Sequence, residues 1–154
     1  MKPRTILTGL AVFFVGAALC SAADMNIGTW KLNEAKSKLA AGGAKNTSVV
    51  YEAVGDMVKI TVDGVDAAGK PVHHEWTGKY DGNDYPVTGD PTSDTRSYKT
   101  AGDRVLTFNA KKAGKVVTTG RIVLSADGKS RTVNATTTDS NGKKVNAISA
   151  YDKQ

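Results

Sequence analysis

The even spacing of its turn signals constrains this chain more than any other feature. Gly55-Asp56, Asp66 to Lys70, Asp81-Gly82, Gly102-Asp103, Ala113-Gly114-Lys115, Asp127-Gly128 and Asn141-Gly142 punctuate it. Gly, Asn and Asp tolerate the positive φ that tight hairpin turns require. Between them run segments of about 8–11 residues rich in Val, Ile, Thr and Tyr, which pack well on a pleated surface. Within them the side chains alternate. Val58, Ile60 and Val62 oppose Lys59, Thr61 and Asp63. Val72, His74, Trp76 and Tyr80 oppose His73, Glu75, Thr77 and Lys79, and Leu106, Phe108 and Ala110 oppose Arg104, Thr107, Asn109 and Lys111. A period of two with one polar face describes antiparallel strands wetted on one side.

The expected fold is therefore all-β, an up-and-down antiparallel meander. Strands are expected at 27–33, 46–54, 57–65, 72–80, 93–101, 104–112, 115–125, 129–138 and 143–152. Such a meander leaves long exposed edges unless it closes, and closure gives a β-barrel of about 8–10 strands. An immunoglobulin-like sandwich is the alternative, but it needs longer crossovers than these turns supply. Two stretches break the pattern. Glu34 to Lys45 carries helix formers before Gly42-Gly43 and reads as one short helix after the first strand. Residues 83–92, with Pro86, Pro91 and a Gly-Asp step, read as a long loop. Asp66-x-x-Gly69-Lys70-x-Val72 and Asp139-x-x-Gly142-Lys143-x-Val145 read as two hairpins of one type.

The N-terminal residues read as an address. Lys2 and Arg4 precede the apolar run Ile6 to Leu19, and Ser21-Ala22-Ala23 offers small residues before Asp24. That layout is a secretory signal peptide over residues 1–23, cleaved after Ala23, and the run is too short to span a bilayer. The expected product is a single domain, 24–154, that is periplasmic or extracellular. Cleavage removes two of the six excess positive charges and also Cys20, the lone cysteine. Leu19 just before Cys20 is the wrong residue for lipoprotein processing.

Chemistry-bearing patterns are sparse. His73 and His74 are neighbours on a strand and point to opposite faces, so they cannot share an ion without a bulge, and no metal site is expected. Basic residues are interspersed with acids, and pairs such as Lys111-Lys112 and Lys143-Lys144 fall near turns; no nucleic-acid partner is expected. No nucleophile elbow, Cys–His pair, H-E-x-x-H or phosphate loop is present, and most aspartates fall in turns. No catalytic residue, enzyme activity or cofactor is expected, although a triad can assemble from distant residues. Asn46-Thr47-Ser48 and Asn134-Ala135-Thr136 match the glycosylation sequon, relevant only in a eukaryotic secretory pathway.

Gly28-Thr29-Trp30-Lys31-Leu32 resembles the G-x-W opening of lipocalins and fatty-acid-binding proteins. The closing Ile148-Ser149-Ala150-Tyr151-Asp152-Lys153 is similar in place and pattern to the last strand of the latter. The chain as a whole resembles small secreted bacterial lipocalin-like (calycin) proteins. The resemblance implies a lipocalin-like barrel in which Gly28 and Trp30 plug one end, with Arg131 or Arg121 stacked on the tryptophan. It does not imply fatty-acid binding, because the Arg-x-Tyr clamp has Ser149 where the arginine belongs and retains only Tyr151.

The interior decides between two functions. Small residues on inward positions (Ala53, Gly78, Ala135, Ala147 and Ser149) favour a cavity that holds a small apolar or amphipathic molecule, in a carrier or sequestering protein. Tyr51, His74, Trp76, Phe108 and Tyr151 are the expected ligand-binding wall. The alternative is a filled barrel, with an internal void below about 100 Å³, acting as a non-catalytic envelope interaction protein. No integral membrane span is expected after cleavage, and a monomer is favoured.

Overall fold

The computed structural model describes residues 25–154, so the expected signal peptide and Cys20 lie outside the described residues. Ten strands follow one another: β1 (Gly28–Leu32), β2 (Lys45–Val54), β3 (Met57–Val65), β4 (Pro71–Gly78), β5 (Tyr85–Thr88), β6 (Thr95–Gly102), β7 (Val105–Lys112), β8 (Lys115–Leu124), β9 (Ser130–Thr138) and β10 (Lys144–Lys153). Turn chemistry makes the hairpins. Asp66 Oδ1 accepts the backbone N–H of Ala68 and of Lys70, each at 2.9 Å. Asp139 Oδ1 does the same for Asn141 and Lys143, each at 2.9 Å, so the two turns share one design.

Every strand pairs antiparallel with its sequence neighbours, and β1 also pairs with β10, which closes the barrel. At the seam Trp30 lies opposite Lys153 and Leu32 opposite Tyr151. The alternation survives intact. Ile60, Val62, His74, Trp76, Leu106 and Ala110 are buried inside, while Asp63, His73 and Asn109 are exposed.

Two expectations need correction. The stretch 83–92 holds a tenth strand, β5, which pairs two residues with β4 and two with β6. Pro86 has no N–H for a ladder, but so short a strand makes few bonds, and buried Val87 fills the wall. The helix expected from Glu34 shrinks to a 3₁₀ turn, Glu34–Lys36, capped by Asn33 Oδ1 on the Lys36 N–H at 3.2 Å. Beyond it, Lys38 exchanges backbone hydrogen bonds with Ile148 on β10 at 2.7 and 3.0 Å. That pairing extends the chain and overrides helix propensity.

The meander gives the barrel two unlike ends. The β2–β3, β6–β7 and β8–β9 hairpins gather at the end where β1 begins. Segment 33–44, turn 66–70, loop 89–94 and turns 113–114 and 139–143 gather at the other. Aromatic residues fill the first. Trp76 lies 4.7 Å from Tyr98, 5.8 Å from Tyr85 and 6.4 Å from Tyr80, between ring centroids.

Candidate functional site

The plugged end is built around Trp30, which is fully buried. Its indole N–H donates to the Asn26 carbonyl at 2.7 Å, and the Asn26 side-chain oxygen accepts from Arg131 Nη1 at 2.9 Å. The Arg131 guanidinium carbon sits 4.6 Å from the Trp30 ring, 4.6 Å from Tyr51 and 5.1 Å from Tyr151. Three ring faces thus surround one buried cation, an attraction that strengthens when water is excluded. Arg121 is exposed, because Ile122 and Leu124 hold the inward phase of β8. Gly28 opens β1 with φ +121°, where a side chain would be strained and its Cβ would stand 2.9 Å from Lys153 Cε.

Above this floor is a cavity of about 380 Å³, reaching toward the end bounded by Leu39, Ala44, Asp66 and Pro91. Val49, Ile60, Val62, Ile122 and Val133 supply its apolar wall, and Ala135, Ala147 and Ser149 leave the space. The inward glycines play the opposite part. A Cβ on Gly78 would lie 2.6 Å from both Trp76 and Tyr85, and one on Gly120 would lie 2.3 Å from Phe108. Large rings therefore occupy the glycine gaps, whereas the alanine and serine gaps stay open. The volume lies within the usual range of ligand pockets, about 300–1,000 Å³, and above that of a filled barrel.

Of the residues expected to form the wall, Tyr51, His74, Phe108 and Tyr151 line the cavity. Trp76 does not; its indole N–H donates to the Arg96 carbonyl at 3.0 Å and its ring belongs to the aromatic plug. Ala53, expected inside, is exposed beside the β2–β3 hairpin. Tyr151 donates its hydroxyl to the Asn46 carbonyl at 3.0 Å.

A second polar feature was not legible in the sequence. Asp90 and Arg96 form a largely enclosed ion pair on the cavity wall, 2.6 Å apart, with side chains 5% and 15% exposed. Asp90 also accepts from Ser93 Oγ at 2.5 Å, Thr92 Oγ1 at 2.7 Å and the Thr92 N–H at 2.8 Å. Burial alone would raise this carboxyl; the bonds from Ser93 and Thr92 and the Arg96 charge outweigh it and hold Asp90 well below the usual carboxylate range. Burial, then the Arg96 charge, lowers His74 to about 4, so the ring is neutral at pH 7. Burial raises Tyr98 and Tyr151 to about 12 each, leaving them as protonated phenols. The one signal for Arg96 was its phase, since it shares the inward face of β6 with Tyr98.

Outside, a shallow depression of about 640 Å³ crosses β7 to β10, lined by Asn109, Thr119, Arg121, Asn134 and Asn146 among others. These five side chains are exposed, so the depression is larger than the cavity but not enclosed. Among the described residues, no group of three or more His, Cys, Asp or Glu is placed to hold a metal.

These features define a closed, ten-stranded antiparallel β-barrel, plugged at one end and hollow toward the other. No protein-family model matches the chain, and no curated protein does. Among solved structures it is similar to EF1p2_mFAP2b, described bound to DFHBI, with 10% identity, a TM-score of 0.53, and coverage of 89% of this chain and 100% of that one. A redesigned β-barrel, mFAP1, also described bound to DFHBI, aligns at 16% identity with a TM-score of 0.45 over 86% of this chain and 98% of that one. At that identity the first likeness establishes the fold.

Proposed function

We propose that this protein is an exported, lipocalin-like barrel that binds a small amphipathic molecule in its interior and carries or sequesters it without catalysis. The observation that carries this reading is the cavity of about 380 Å³ between the Trp30–Arg131 floor and the opposite end. At protein-interior packing density it accommodates about 15 non-hydrogen atoms. Apolar walls supply roughly 25 cal/mol per Å² removed from water, and a few fixed polar groups orient the guest. The structural neighbour bound to DFHBI supports the reading that a barrel of this topology accepts a small guest. Export is supported by the layout of residues 1–23.

The test is native mass spectrometry and lipid extraction of protein purified from its own envelope, with thermal-shift measurements across lipids and small aromatic compounds. A co-purifying molecule or a saturable shift is expected. Protein that carries nothing and shifts with nothing overturns the proposal.

A further inference from the structure

Charge is divided unevenly around the outer wall of the barrel. On β3 and β4 it stands in cross-strand pairs, Lys59 with Glu75 and His73 with Asp63, each at 2.7 Å. Strands β7, β8 and β9 contain no Asp or Glu, and β10 has only Asp152, near its end. Arg121 is the charge in the middle of this acid-free face; it is exposed and makes no ion pair among the described residues. Lys115 and Lys144, at the starts of β8 and β10, add to the same sign. The face is electropositive and complements an anion.

The depression on this face has the form of a trench. Register places Thr107, Arg121 and Asn134 side by side on β7, β8 and β9. Two residues along, Asn109, Thr119, Thr136 and Asn146 form a second row on β7 to β10. Between the rows run Gly120, Ala135 and Ala147, which turn bare backbone outward as the bed. Rows two residues apart are separated by about 7 Å, and four strands give a length of about 14 Å. Thr136 Oγ1 donates to Asn146 Oδ1 at 2.7 Å, which leaves the Asn146 amide nitrogen as a donor. The side chains of Asn109, Thr119, Arg121 and Asn134 bond to nothing within the protein among the described residues.

We infer that this trench binds an acidic saccharide about two sugar rings long, its carboxylate at Arg121. Carboxamides and hydroxyls both donate and accept, as neighbouring sugar hydroxyls do, whereas a guanidinium only donates, in a fork that matches a carboxylate. Strands about 4.8 Å apart are spaced close to the length of one pyranose ring, so successive rings meet successive strands. The volume of about 640 Å³ corresponds to about 25 non-hydrogen atoms at interior packing density, the size of a disaccharide. A nucleic-acid strand would need aromatic side chains to stack its bases, and neither row has one. The site lies outside the barrel and is separate from the cavity.

Titrations followed by nuclear magnetic resonance on the isotope-labelled protein test this with three probes: a β-linked diglucuronate, its dimethyl ester and glutarate. The diglucuronate is expected to shift the side-chain amide signals of Asn109, Asn134 and Asn146 saturably. It is expected to bind about threefold more tightly than the ester, the scale of one exposed ion pair, and to lose that margin in Arg121→Gln and in about 0.5 M salt. Glutarate, which has the acid but no hydroxyls, is expected not to saturate. An ester that binds as tightly as the acid overturns the role of Arg121. Glutarate that binds as tightly as the disaccharide overturns the saccharide and reduces the site to one for simple anions. Shifts confined to other residues, or no shifts, overturn the inference whole. Circular dichroism checks that Arg121→Gln folds; if it does not, the acid-to-ester ratio on the unmodified protein decides. None of these outcomes bears on the cavity.

Discussion

Truncating Trp30 is the sharpest test of how the barrel is plugged. Its side chain is completely buried, so Trp30→Ala removes roughly 150 Å² of enclosed apolar surface and leaves a cavity, at a cost of about 3–5 kcal/mol. The Asn26 carbonyl loses a 2.7 Å hydrogen bond, about 1 kcal/mol more. Arg131 keeps Tyr51 and Tyr151 but loses its third ring face, about 1 kcal/mol or somewhat above for a desolvated cation. The sum is about 5–7 kcal/mol, comparable with the whole stability of many domains. Trp30→Phe keeps most of the ring and forfeits the N–H bond, so about 1–2 kcal/mol is expected. Urea titration reports both, with Trp76 as the remaining fluorophore and far-ultraviolet circular dichroism as a second probe. A loss below about 2 kcal/mol for Trp30→Ala, or equal losses for both variants, refutes the plug as described.

Three further outcomes are expected. His74 is held near 4 in the folded protein against 6.5 unfolded, so its contribution is complete above about pH 6.5 and is lost as pH falls toward 4; urea unfolding across that window should show a decline of about 2 kcal/mol, after allowance for solvent at the cavity side, that His74→Gln abolishes. Asp90→Asn strips Arg96 of its acid inside the wall and should cost about 3 kcal/mol by thermal denaturation; a loss below about 1 kcal/mol would show that water solvates the pair. Ala147→Phe should fill the cavity and abolish the saturable thermal shift expected of the unmodified protein while the circular dichroism spectrum stays native, and an unchanged shift would place the guest elsewhere.

What could be read from the sequence was what local chemistry decides. The aspartate turns at Asp66 and Asp139 form the same hydrogen bonds because the same residues stand at the same offsets. Inward phase was equally legible for Ile60, His74 and Leu106, since alternation tolerates no other assignment on a one-sided sheet. What failed depended on partners distant in sequence. Lys38 is extended by Ile148, 110 positions away, and no propensity within 34–45 contains that fact. Pro86 disguised β5 because prolines usually exclude strands, while here two paired residues per neighbour suffice. The Asp90–Arg96 pair was hidden for the same reason, its acid lying in the stretch read as loop. Arg131 and Arg121 could have been separated by parity alone, since Ile122 and Leu124 assign β8 and leave Arg121 outside.

The seam between β1 and β10 has a consequence for how the molecule is made. Nine of the ten strand pairings join neighbours in sequence and zip up as hairpins; the tenth closes a loop of more than a hundred residues. Trp30 cannot be roofed by Arg131 and Lys153 until the C-terminal strands are present. Until β10 pairs, the sheet has two raw edges and a bare tryptophan. Non-local closure is the slow kind of contact. The barrel is thus most open to edge-to-edge association in the interval before β1 and β10 meet, when a holding chaperone has the greatest effect on yield.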